Sequence, residues 1–78
     1  MKKCQIKAYF EKEYNLAKDI LERKPAWLSS PAEVVQNTIQ RCLGVATFAQ
    51  SFVDFSTVEE LYEPTRIKLL QLLEREIK

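Results

Sequence analysis

Apolar residues return every three or four positions in three long segments, and no stretch alternates with period two for long enough to form a strand. At about 100° per residue, Ile6, Tyr9, Phe10, Tyr14, Leu16, Ala17, Ile20 and Leu21 share one face of a first helix. Val58, Leu61, Tyr62, Leu69, Leu70, Leu72, Leu73 and Ile77 do the same on a third. In the middle segment the apolar arc is wider. Val34, Val35, Ile39, Cys42, Leu43, Val45, Ala46, Phe48, Ala49, Phe52 and Val53 cover more than half of the circumference. A helix so widely apolar must touch two neighbours. The pattern therefore predicts an all-α fold, a small antiparallel three-helix bundle with helix 2 central.

Local punctuation places the helices near 5–23, 31–52 and 57–77. Lys24-Pro25 ends the first, because the residue before a proline disfavours helix. Ser30-Pro31-Ala32-Glu33 starts the second: Ser30 is suited to cap, Pro31 to the first helical position, and Glu33 to complete a capping box. Ser56-Thr57-Val58-Glu59-Glu60 starts the third, with acidic groups in the first turn. Pro64 then conflicts with an unbroken helix, since a proline in a helix interior costs roughly 3 kcal/mol. It lies opposite the apolar stripe, facing water. A kink or break is expected near 60–64, or else a separate short helix at 57–62.

Composition narrows the classes. The chain has 78 residues, enough for one domain over 1–78 with a modest core. One glycine, three prolines and 46% hydrophobic residues exclude collagen-like, linker-like and strongly disordered chains. No apolar run approaches the ~20 residues of a membrane span. Met1-Lys2-Lys3-Cys4-Gln5 leads into charged sequence and not into an apolar signal core, so a cytoplasmic location is expected. There, Cys4 and Cys42 are expected to be reduced. The chain has no histidine, which excludes a Cys–His pair and a Ser–His–Asp triad. Two distant thiols make a poor zinc site, and no metal or cofactor is expected.

Charge is uneven. Residues 1–24 carry seven basic and four acidic groups, residues 25–53 only Glu33 and Arg41, and residues 54–78 six acidic and four basic. The uncharged middle reads as the interior of the fold. A nucleic-acid reader needs basic and amide side chains on one helix, whereas helix 2 is nearly uncharged and helix 3 opens with Glu59, Glu60 and Glu63. No helix has the strongly cationic face of a membrane-surface element. Neither nucleic acid nor membrane is an expected partner.

Three features remain as candidates. Glu13 and Arg41 fall within apolar faces, and an unpaired buried charge is costly. Each lies about 14 positions from the turn near residue 27, at similar heights in a helical hairpin, so they are placed to meet as a polar pair. On the back of helix 2, Asn37, Gln40, Gly44, Thr47 and Ser51 form a stripe of small or uncharged residues, with the only glycine of the chain at its centre. Trp27, with Leu28, either folds over the bundle end as a plug or presents an aromatic anchor to a partner. The expectation is a non-catalytic protein–protein interaction module, self-associating through helix 2. The alternative is a small-ligand binder or minor helical enzyme using Glu13 and Arg41. Nucleic-acid binding ranks third.

Overall fold

A computed structural model describes residues 2–28 and 30–77, with the backbone alone at residue 77. The chain forms α1 (Lys3–Arg23), α2 (Pro31–Ala49) and α3 (Phe55–Ile77). All three pack against one another. Ile6 and Phe10, early in α1, cluster with Cys42, Ala46 and Ala49, late in α2, and with Val58, early in α3. At the other end Ala17 and Leu21 meet Val35, Leu69 and Leu72. Consecutive helices therefore run in opposite directions. The expected place of Ile77 on the α3 face lies outside the described residues.

The ends follow local chemistry. The Lys2 backbone N–H donates to Gln5 Oε1 at 2.8 Å, holding one free donor at the start of α1. Lys24 closes α1 in the left-handed conformation, φ 47°, and its N–H reaches the Ile20 carbonyl at 3.0 Å. Ser30 sits extended before Pro31, but its hydroxyl makes no capping bond, so the serine half of the expected box is absent. α2 ends at Ala49. Gln50 to Val53 wind on as a tighter turn, with Ser51 N–H to Phe48 O at 3.1 Å and Phe52 N–H to Ala49 O at 2.9 Å. α3 begins at Phe55, two residues before the expected start at 57, because the Asp54 carbonyl already accepts from Val58 N–H at 3.0 Å.

Pro64 does not break α3, and no separate helix forms at 57–62. The ring faces water, so the Glu60 carbonyl that has lost its donor is on the wet side. One residue on, the Thr65 hydroxyl donates to the Leu61 carbonyl at 3.3 Å, adding a donor beside the one that proline lacks. Val58 on one side and Leu69 on the other are fully buried, and this packing anchors both halves of the helix to the bundle.

The central place expected for helix 2 is shared by all three helices. Each packs against the other two, and a buried sector narrower than its apolar arc is sufficient for that. α2 turns Val35, Thr38, Cys42, Ala46 and Ala49 inward. Leu43 and Phe48, on the same apolar arc, stay exposed. Leu16 and Leu70 are likewise exposed at the edges of their stripes.

Candidate functional site

The level between the two core clusters is polar. Glu13, 9% exposed, is the one charged residue among the buried groups described. Arg41 Nε donates to Glu13 Oε2 at 2.9 Å, and Arg41 Nη2 donates to Thr38 Oγ1 at 3.1 Å. Thr38 passes its own proton to the Val34 carbonyl at 2.8 Å. Tyr9 stands one turn before Glu13 on α1 and feels the charge of its carboxylate. Burial, and then the negative charge of Glu13, push the Tyr9 phenol above its ordinary value of 10.0. The same causes in the same order push the Cys42 thiol up to about 11.

This network satisfies its own members. Glu13 faces an arginine that is already bonded to it, and Arg41 spends two of its nitrogens on Glu13 and Thr38. Neither residue lines the α1–α2 groove or the α2–α3 cleft described below. The chemistry on offer is an ion pair spanning two helices, with the arginine side chain half exposed and the carboxylate inside.

Next to this pair, toward the end holding the start of α1, the surface opens. Gln5 and Tyr9 of α1 face Val45 and Phe48 of α2 and Phe52 of the turn across a groove of about 550 Å³. The two phenylalanine rings are tilted against each other, 5.2 Å apart, and each is 57% exposed. Arg41, Val45, Phe48 and Phe52 follow one another at spacings of four, three and four, one continuous line on the outer flank of α2. A smaller cleft of about 180 Å³ lies between α2 and α3, with Leu43, Phe55 and Tyr62 beside Glu59 and Glu63.

The stripe Asn37, Gln40, Gly44, Thr47 and Ser51 is exposed throughout, although Ser51 belongs to the turn and not to the helix. No atom lies within 4 Å of the place where a Gly44 side chain would begin. Phe48, one turn beyond Gly44, puts the exposed aromatic line beside this stripe. The plug expected of Trp27 does not form: the ring is 70% exposed, beside Val34 and Asn37 on the flank of α2. The tight Pro25–Leu28 turn, with Leu28 N–H to Pro25 O at 3.0 Å, leaves the indole outside the bundle end.

Reading apolar periodicity by itself missed the groove, because it assigned Val45, Phe48 and Phe52 to the core with the rest of the arc. The available signal was side-chain size: the residues on the buried line of α2 are small. Among the described residues no cluster of three metal-ligating side chains is present. No described helix is long and apolar enough to cross a membrane. No family model, curated protein or solved structure matches the chain.

Proposed function

We propose that this chain is a non-catalytic protein–protein interaction module whose docking surface is the outer side of α2 together with the groove it forms with α1. The observation that carries this reading is the pair of exposed rings of Phe48 and Phe52, beside the half-buried Val45, over an apolar groove on the flank of a helix that buries alanine and cysteine. Exposed aromatic rings gathered in a concave patch are characteristic of recognition surfaces. The neighbouring uncharged stripe through Gly44 gives a second helix room to approach. The partner class is a protein segment, self-association included. A cytoplasmic setting is supported by two free cysteines, Cys4 on the surface and Cys42 inside.

Site-specific photocrosslinking tests this. A photoreactive phenylalanine analogue at position 48, in cells expressing the chain, is expected to give a discrete protein adduct. The same group at Lys7, exposed on another side of α1, is expected to give none. Equal yields at the two positions, or no adduct at position 48, would overturn the reading.

A further inference from the structure

The groove has a charged rim, and the opposite side of the molecule carries its complement. On α1 the 100° period sets Gln5, Tyr9, Lys12 and Leu16 in one row along the groove, at spacings of three and four, and Lys2, extended just before the helix, stands three residues ahead of Gln5. Lys2 and Lys12, both exposed, thus flank the two groove-lining residues Gln5 and Tyr9. On α3 the same spacing sets Glu60, Glu63, Ile67, Leu70 and Glu74 in one row. Its middle is apolar and open to solvent, with Ile67 47% and Leu70 39% exposed. Its ends are acidic, Glu60 and Glu74 without a neutralising partner in this row and Glu63 already paired with Arg66 at 2.8 Å. Leu69, about 160° from Ile67 around the helix, is fully buried, so Ile67 points away from α1 and α2.

The spacing fits as well as the sign. With Ile67 and Leu70 over Tyr9 and Phe48, Glu60, Glu63 and Glu74 lie about 6–10 Å to either side at 1.5 Å per residue. Lys12 and Lys2 lie about 5 and 10 Å from Tyr9 on the same scale. The match holds for either direction of the incoming helix.

Resting on the interaction-module reading, we infer that the groove's occupant is a second copy of this chain, docked by the Ile67–Leu70 face of its α3. The two surfaces lie on opposite sides of one bundle, since the α1–α2 groove is across the axis from the outer face of α3. One contact therefore leaves a free groove at one end and a free α3 face at the other. Such a heterologous interface propagates and does not close into a two-fold dimer. It is also narrow, about one helix wide, which places it among weak and concentration-dependent contacts.

Sedimentation of the full chain, from about 10 μM to about 1 mM, reads this out. The wild type is expected to grow past twice the monomer mass without a plateau. Growth should weaken between about 0.05 and about 0.5 M salt, where screening shortens to a few ångströms. Phe48→Asp spoils the groove and Ile67→Asp spoils the α3 face, so each should be monomeric alone. Mixed in equal amounts they should form a heterodimer that grows no further, because one intact groove meets one intact α3 face. If either variant loses its helical circular dichroism, Lys12→Glu and Glu60→Lys on the exposed rims replace it. A wild type that stops at a dimer, or a mixture that stays monomeric while the wild type associates, overturns the inference. A wild type that is monomeric throughout also overturns it. The crosslink at position 48 then separates the two failures: an adduct with another protein keeps the module and removes the self-docking, and no adduct removes both.

Discussion

The two sides of α2 invert the usual order of size. Its inner line, from Val35 through Thr38, Cys42 and Ala46 to Ala49, contains nothing larger than valine. Its outer side carries Leu43 and Phe48, with Phe52 following in the turn, all exposed. α1 and α3 do the opposite and bury Phe10, Leu21 and Leu69. The difference shows that apolar character and inward position are separate properties. Small residues on α2 let the helices approach closely, while the large neighbours supplying the hydrophobic effect come from α1 and α3. The large residues on α2 are then surplus to the fold, which is why they qualify as a surface for something else.

The comparison breaks most visibly from the inside. Phe10 contacts Tyr62 edge to face at 6.1 Å and is 1% exposed. Phe10→Ala should cost about 3–5 kcal/mol in denaturant unfolding, a large share of the ~4–12 kcal/mol expected for a domain of this size. A loss near zero would mean that this end of the core is not packed.

Alkaline pH probes the same interior. The folded Cys42 thiol keeps its proton to about pH 11, whereas the unfolded thiol loses it near 9.0. Between those values the unfolded chain binds fewer protons, so stability is full below about 9 and falls as pH rises toward 11. The slope for one such group is about 1.4 kcal/mol per pH unit. Tyr9 and Tyr62, both raised, add in the same direction at higher pH. Unfolding curves at stepped pH check this, and Cys42→Ala should flatten the decline between pH 9 and 11. In the native protein a thiol reagent should modify Cys4 alone.

The polar level tests how the inner and outer sides of α2 are joined. A double-mutant cycle with Glu13→Gln and Arg41→Met should give a coupling of about 0.5–3 kcal/mol. The half-exposed guanidinium keeps the value from the upper end. Additive effects would mean that the pair is decorative.

Much of this was legible in the sequence, and the misses share one cause. Helix number, order and direction follow from periodicity and from Pro25 and Pro31. The heights of Glu13 and Arg41 follow from the rise of the helix, and the structure joins them. Hydrophobicity points Leu16, Leu43 and Phe48 inward, and Trp27 in the plug alternative, but it says only that a residue prefers burial and not that room exists for it. Room is set by the two neighbouring helices and cannot be seen from one helix at a time. The break expected as one outcome at Pro64 does not form, because the local propensity against helix is outweighed by tertiary packing at Val58 and Leu69.

Smaller effects sharpen the outer side. Gly44→Lys places a side chain where nothing stands within 4 Å. It should raise the stability of the monomer by about 0.5–1 kcal/mol, since lysine is the better helix former. A destabilised monomer in dilute thermal unfolding would reveal a contact at Gly44 within the fold itself.

The most direct test of the inversion is denaturant unfolding of Phe48→Gln at low protein concentration, where the ring is removed without a change of charge. If Phe48 belongs to the outside, the variant stays within about 1 kcal/mol of wild type, the scale of its ring contact with Phe52. A loss of about 3–5 kcal/mol, as for a buried phenylalanine, would make Phe48 part of the core and contradict the account.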